Sequence, residues 1–250
     1  MFSTKITQAA KLLQQARHAV ALTGAGISTP SGIPDFRSPG TGLWETVDAF
    51  EVSSLESFQR RPQAFYDWIR ARARTMQAAQ PNPAHLALAE MERRGVIKAL
   101  ITQNIDSLHV RAGSQNVLEV HGNIRTLTCL KCYRQVATES IADKFLADGE
   151  VPRCTCGGVL KPDVVLFGEM LPVQVFYRAQ QEAETCDVML VAGSSLAVAP
   201  VSALPALALR HGAQLIIVNK MATDYDRLAR IVLHEDVAEA LPQMVAAMGK

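Results

Sequence analysis

Two close pairs of cysteines, Cys129/Cys132 and Cys154/Cys156, interrupt a chain whose flanks alternate short apolar runs with helix-like segments. Thiolates two or three positions apart can grip one tetrahedral ion, and the 21 residues between the pairs (133 to 153) match the spacing of a zinc ribbon. All four ligands are protein, so an ion held there is structural rather than catalytic. One irregularity stands out: Cys154-Thr-Cys156 leaves a single residue between ligands where two are usual. Cys186, at the end of an expected helix, reads as a small buried apolar residue.

The compartment follows from the same residues. Met1 to Leu22 carries scattered charges and a helical apolar rhythm (Ile6, Ala9, Leu12, Leu13, Ala16), which reads as a mature first helix and not as a secretion signal. Clustered cysteines without such a signal favour metal binding in a reducing, cytoplasmic setting. No run approaches the ~20 apolar residues of a membrane span. A formal net charge of +1 gives no global pull toward nucleic acid or anionic lipid, and no direct nucleic-acid site is evident. At 250 residues the chain suits one large domain with an insert, or two unequal lobes.

Apolar runs mark the strands. Ala19–Leu22, Val96–Ile101, Val117–Val120, Val164–Phe167, Val188–Ala192 and Gln214–Asn219 are expected as strands. Helices are expected at 55–79 with a break at Pro62, at 83–94 between Asn82 and Gly95, and at 107–112, 173–186, 201–211 and 237–248. A stretch rich in Pro and Gly from Pro30 to Gly42 reads as a long loop. Strands that are apolar runs, alternating with helices, predict an α/β fold with a parallel sheet covered on both faces. Ligands of such sheets sit beyond the carboxyl ends of the strands. Four of those ends carry polar or glycine-rich runs: Thr23 to Ser28, Gln103 to Asp106, Gly193 to Ser195, and Asn219.

Gly24-Ala-Gly26 has two readings. It is a tight structural turn, or a phosphate turn in which bare backbone N–H groups approach a pyrophosphate. The third glycine and the distal acidic residue of the dinucleotide fingerprint are both missing. A second small-residue turn, Gly193-Ser-Ser195, again after a strand, tips the balance toward a nucleotide. Among six histidines, His121 differs by following an apolar strand, preceding Gly122 and abutting the cysteine insert. His18, His211 and His234 read as solvated, His85 as part of a helix's first turn, and His109 as part of a short helix. Asp35-Phe-Arg37 and Asn104-Ile-Asp106 together offer an aromatic face, a cation, an amide and carboxylates, enough to hold a polar ring and a ribose.

These segments together resemble the sirtuins, NAD-dependent protein deacylases of the silent-information-regulator type. The resemblance spans essentially the whole chain. It rests on Thr-Gly-Ala-Gly-Ile-Ser (23 to 28), Gly-Ile-Pro-Asp-Phe-Arg (32 to 37), Thr-Gln-Asn-Ile-Asp-Ser-Leu-His (102 to 109), His-Gly-Asn (121 to 123), the cysteine pairs, Pro-Asp-Val-Val-Leu-Phe-Gly-Glu (162 to 169) and Gly-Ser-Ser (193 to 195). It implies a Rossmann-like, doubly wound domain from 1–42, 81–124 and 162–250. A small lobe would combine a helical module (43–80) with a zinc-ribbon module (125–161).

The resemblance also implies site residues. Gly24, Ala25, Gly26, Thr29, Asp35, Phe36 and Arg37 match positions around the pyrophosphate and nicotinamide ribose. Gln103, Ile105 and Asp106 match the nicotinamide end, and Asn104 the residue that orients the ribose or a water. Gly193, Ser194, Ser195 and Asn219 match the adenosine end, with Asp236 and Val237 near adenine. Val165 and Phe167 match the strip that pairs a substrate peptide by strand addition. His121 is implied as general base, with Asn104 beside it, and Cys129, Cys132, Cys154 and Cys156 as ligands of one structural zinc. The implied reaction is deacetylation of acetyl-lysine proteins, releasing nicotinamide and 2′-O-acetyl-ADP-ribose; protein mono-ADP-ribosylation in the same cleft is the alternative. Acyl groups bearing a carboxylate are bound in the family by a Tyr-x-x-Arg pair. Here Tyr66 is followed three positions later by Ile69, and Arg70 points about 100° away on a helix.

Overall fold

The computed structural model describes residues 3–35 and 49–249. Helix α1 (Thr4–Gln15) starts where the Ser3 side chain accepts the Ile6 N–H, and leads into β1 (Ala19–Thr23). Beyond the undescribed residues come α2 (Ala49–Ser53), α3 (Leu55–Arg60) and α4 (Pro62–Ala78). The break between α3 and α4 falls at Arg61, which precedes Pro62 and adopts a non-helical φ of −140°. Helix α5 (Pro83–Arg93) is capped by Asn82, begins on Pro83 and is followed by Gly95 at φ +69°. Then follow β2 (Ile97–Thr102), α6 (Leu108–Arg111), β3 (Val117–Glu119), β4 (Gly122–Cys129), β5 (Gln135–Ala137), α7 (Glu139–Asp148) and β6 (Leu160–Val164). The chain closes with α8 (Val173–Thr185), β7 (Val188–Ala192), α9 (Leu204–Arg210), β8 (Gln214–Val218), β9 (Ile231–Leu233) and α10 (Val237–Ala247).

Six strands form one parallel sheet in the order β3-β2-β1-β7-β8-β9. This is the doubly wound order, two three-strand halves running outward from a switch point between β1 and β7. Side chains alternate across the sheet: Ala19 and Ala21 face one core with α1, α5 and α10, whereas Val20 and Leu22 face the other with α8 and α9. Both faces are buried, which is why these strands read as unbroken apolar runs.

A second, three-stranded antiparallel sheet has the order β5-β4-β6. It packs with α3, α4 and α7 around Phe58, Phe65, Tyr66 and Phe145. Here one expectation is corrected. The strand placed at Val164–Phe167 is in fact Leu160–Val164, paired with β4 in the smaller sheet. The apolar run signals burial and not ladder pairing, since Val164 and Leu166 fill the small core. The true strand hides behind Lys161, Pro162 and Asp163, and Pro162 is tolerated because β6 is an edge strand. Helix α7 inside the cysteine insert and the short β9 are further elements that the sequence reading left unassigned. Among the described residues no helix is long and apolar enough to cross a membrane.

Candidate active site and metal centre

The carboxyl ends of β1 and β7 meet at the switch point. After β1 the backbone enters two successive 3₁₀ turns, Ala25–Ile27 and Thr29–Ser31. A Cβ on Gly26 would lie 2.8 Å from the Gly193 carbonyl oxygen, and one on Gly193, whose φ is +63°, would lie 2.3 Å from the Ile27 nitrogen. The glycines are therefore dictated first by contact between the two turns. Beside them opens a cleft of about 1380 Å³ between the two sheets.

Most of the sequence-predicted residues line this cleft. From β1 come Gly24, Ala25 and Gly26, with Asp35 farther along; β2 delivers Gln103, Asn104, Ile105 and Asp106; β7 and β8 deliver Gly193, Ser194, Ser195 and Asn219. His121, Val165 and Phe167 line it too. Thr29, Asp236 and Val237 do not. Thr29 donates its hydroxyl to the Gly26 carbonyl, Asp236 caps α10 and pairs with Lys220 at 2.7 Å, and Val237 is buried in the sheet core. Phe36 and Arg37 lie outside the described residues.

A buried polar network runs from the cleft lining into the core. The Ser28 hydroxyl donates to Asp106 Oδ2 at 2.6 Å and accepts from Asn104 Nδ2 at 2.9 Å, while the Leu108 N–H donates to Asp106 Oδ1 at 2.9 Å. Burial pushes the Asp106 carboxyl up, and these donors pull it partly back. His85 accepts the Asn82 N–H on Nδ1 at 3.3 Å, so its proton sits on Nε2, 3.4 Å from Ser28 Oγ. His109 reaches Thr23 Oγ1 through Nε2 at 3.0 Å, and the two imidazoles lie 4.7 Å apart. Neither is solvated. Burial lowers His85 to about 4, and burial with the neighbouring His85 holds His109 well below the ordinary imidazole range. Ser28, expected only as the end of the run after β1, lines the cleft, and His85 and His109 back it, a role the sequence reading did not give them. The available signal was position: Ser28 lies two residues past Gly26, and His109 three residues past Asp106.

His121 stands apart. Its Nδ1 lies 3.0 Å from the Gln103 carbonyl, which can only accept, so Nδ1 carries the proton and the Nε2 lone pair is left for the cleft. Burial lowers its pKa, and the Gln103 carbonyl partly offsets that. Gly122 follows at φ +74°, with a hypothetical Cβ only 2.0 Å from the Asp163 carbonyl, so the turn that presents His121 demands glycine. Two other histidines read as solvated are held: His18 pairs with Glu182 at 2.6 Å, and His234 bridges the Asn219 carbonyl and Asp226.

The substrate side differs from the strand-addition expectation in one respect. The Phe167 N–H already donates to Ser53 and its carbonyl accepts from Leu55, while the Val165 N–H donates to the His121 carbonyl. Phe167 is thus paired along its backbone by the 53–55 segment. Nearby, Tyr66 donates to the Leu160 carbonyl at 2.5 Å and is fully committed to the small core. Arg70 donates to the Leu146 and Ala147 carbonyls, both at 2.8 Å, at the end of α7. No Tyr-x-x-Arg fork is assembled there.

The sulfur atoms of Cys129, Cys132, Cys154 and Cys156 all lie within 4.8 Å of one another. Cys129 and Cys156 are 3.5 Å apart, and Cys132 and Cys154 are 3.7 Å apart. Four thiolates about 2.3 Å from one zinc would be about 3.8 Å apart along each tetrahedral edge, so the set fits the ion. The short Cys154-Thr-Cys156 spacing is accommodated by the turn after it. Gly157, at φ +81°, donates to the Cys154 carbonyl, and Cys154 donates to the Gly158 carbonyl, each at 2.8 Å. Gly158 has no room for a side chain, since a Cβ would fall 2.6 Å from Cys129 Sγ.

Comparison with known proteins agrees with this geometry. The model of the family described as "Sir2 family" matches residues 24–200. An NAD-dependent protein deacetylase of Sulfolobus acidocaldarius is 45% identical over 237 residues, covering 95% of this chain and 92% of that one. An NAD-dependent protein deacylase 2 of Archaeoglobus fulgidus is 46% identical over 243 residues, 96% and 95% of the two chains. A solved Sir2 enzyme superposes with a TM-score of 0.90 at 44% identity, over 99% of this chain and 98% of that one. A Sir2 protein solved with a p53 peptide and NAD+ gives 0.88 at 38% identity, over 97% and 98%. With a matched family model over most of its length, near full-length relatives above 40% identity and the same fold throughout, this chain belongs to the Sir2 family, the sirtuins.

Proposed function

We propose that the chain is an NAD-dependent protein-lysine deacetylase that works on acetyl-lysine proteins and carries one structural zinc. The observation that carries this reading is the placement of His121: a neutral imidazole, tied through Nδ1, with its Nε2 lone pair left for a cleft that joins the β1/β7 switch point to Val165 and Phe167. NAD is a co-substrate here: nicotinamide leaves C1′ of its ribose, the acetyl group moves from lysine to the 2′-oxygen, and one water is consumed, so that C1′ ends as a hydroxyl in 2′-O-acetyl-ADP-ribose and lysine leaves as the free amine.

The chain's own residues then take the following roles. Gly24, Ala25 and Gly26 present backbone at the pyrophosphate, backed by Thr29 through its bond to the Gly26 carbonyl, with Asp35, Phe36 and Arg37 around the nicotinamide ribose. Gly193, Ser194, Ser195 and Asn219 hold the adenosine end; Asp236 and Val237 stand behind it at the start of α10, outside the cleft lining. Gln103, Ile105 and Asp106 receive the carboxamide, and the Ser28 and Asn104 bonds keep Asp106 in place for it. Asn104 orients the ribose or a water. His121 takes a proton from a ribose hydroxyl as general base, a task suited to a group whose pKa lies near working pH. Val165 and Phe167 line the acyl-lysine end. Residues 1–42, 81–124 and 162–250 form the NAD-binding domain, and 43–80 with 125–161 the small lobe braced by zinc on Cys129, Cys132, Cys154 and Cys156.

Arg70's engagement with α7 and Ile69 at the neighbouring position favour an uncharged acyl group. A cytoplasmic location belongs to the same proposal, supported by cysteines that are free and gathered at ligand spacing. The test is incubation with NAD and an acetyl-lysine peptide, following nicotinamide release and peptide mass, beside His121→Ala. Loss of the acetyl mass by the wild type alone is expected; equal deacetylation by both proteins would overturn the mechanism.

A further inference from the structure

Lys161 is buried, with 8% of its surface exposed, although lysine is rarely buried without compensation. Its ammonium has three N–H groups and three partners: the Val164 carbonyl at 2.9 Å, the Pro162 carbonyl at 3.0 Å and Glu169 Oε2 at 3.1 Å. The same Glu169 oxygen accepts the Leu166 N–H at 3.0 Å, and the Glu169 N–H donates back to the Leu166 carbonyl at 3.0 Å. Leu166 to Glu169 is therefore a closed four-residue turn. Gly168 occupies its third position at φ +82°, the left-handed conformation that a type II turn requires there.

The consequence is geometric. Lys161 grips the segment at its start, through Val164, and at its end, through Glu169. Between the two grips lie Val165 and Phe167, the residues assigned to the acyl-lysine end of the cleft. A well-packed apolar pair of similar volume commonly matches or exceeds a buried ion pair in stability. Such a pair could not, however, donate to the Val164 carbonyl or accept the Leu166 N–H. What the ion pair supplies is the path of the backbone. None of the hydrogen bonds or ion pairs of either side chain reaches the glycine turns or Gln103–Asp106, where NAD is assigned.

We infer that Lys161 and Glu169 are positioning residues for the acyl-lysine substrate: together they hold the 165–168 strap in the shape that receives it, without serving the NAD end. The inference rests on the deacetylase reading and concerns a part of the cleft to which that reading gave no charged residue.

Steady-state kinetics with an acetyl-lysine peptide and NAD, each varied in turn, tests it. Lys161→Met and Glu169→Gln should each raise the peptide KM about tenfold or more while the NAD KM stays within about twofold. Lys161→Arg, which keeps a cation, should recover most of the peptide affinity. The double variant Lys161→Met/Glu169→Leu separates positioning from stability, since it should melt near the wild-type temperature yet keep the raised peptide KM. Return of the peptide KM to the wild-type value in that double variant, parallel rises in both KM values, or failure of the double variant to fold would each overturn the inference. A wild type that turns over no acetyl-lysine peptide would sink the deacetylase reading itself; normal wild-type turnover with unmoved peptide KM in the variants sinks only this inference.

Discussion

Gly26 and Gly193 touch through bare backbone: a methyl group on the first would sit 2.8 Å from the carbonyl oxygen of the second, with no flexible side chain able to yield. The contact joins the two halves of the doubly wound sheet at the point where their order reverses. Gly26→Ala and Gly193→Ala are expected to cost about 2 kcal/mol or more in denaturant unfolding, through overpacking and, at Gly193, a strained φ of +63°. Gly24→Ala should cost less. Its contacts are looser, with the Ser194 Oγ at 2.9 Å, the Ser194 Cβ at 3.0 Å and the Gly193 carbonyl oxygen at 3.2 Å, and no left-handed φ adds strain. Calorimetric titration with NAD should rank the three variants in the same order.

In the proposed reaction the protonation of His121 sets the acid limb. Burial lowers its pKa below the ordinary 6.5, and the neutral form is the one that can accept a ribose proton. The rate should therefore rise with pH and level off, with a midpoint below 6.5, when kcat/KM is followed across the acid range. His121→Ala should lose that limb and fall about 10²- to 10⁴-fold in rate. A midpoint above the ordinary imidazole value would count against the buried, neutral assignment.

Cys156→Ser tests the metal brace. The four sulfurs already stand at the spacing of a tetrahedron, and Cys129 and Cys154 are buried beside Leu127 and Leu160 in one small cluster. Metal analysis should find one zinc per wild-type chain and a fraction of that in the variant. Because β4 carries both Cys129 and the turn after His121, loss of the ion should also lower the melting temperature and the turnover. Full activity with the metal stripped would show that the brace is dispensable.

The sheet and the switch-point residues were legible because each is stated locally. Buried parallel strands are written as apolar runs, and the residues that end them are polar or glycine. The small lobe was harder to read for a physical reason. Its strand β6 contains Lys161, Pro162 and Asp163, and Lys161 is compatible with burial only because Val164, Pro162 and Glu169 surround it, which no local pattern reveals. The same holds for His85 and His109. A histidine in a first helical turn gives no local sign that the fold buries it against another, whose ring centre lies 4.7 Å away. Gly24 and Gly26 were read correctly as a turn, but Gly26 is required by contact with a second turn 167 positions later in the chain.

That buried histidine pair should make stability acid-sensitive in a defined window. Both imidazoles are neutral and buried in the folded chain, and unfolding exposes them to water, where each titrates near 6.5. A depressed folded pKa means that the unfolded state binds more protons as the pH falls, so the stabilisation is present above about 6.5 and is lost on acidification. For His85 the loss runs from 6.5 down to about 4, and His109, held well below the ordinary imidazole range, adds a loss of the same sign. Each histidine adds a slope of at most about 1.4 kcal/mol per pH unit. Asp106 acts in the opposite sense, because its carboxyl is raised by burial and the folded state gains protons there first. Comparison of the wild type with His109→Gln removes that opposing contribution to first order. Urea unfolding at intervals between pH 7.5 and 4 should show the wild type losing stability more steeply than the variant, and identical slopes would exclude a neutral, buried His109.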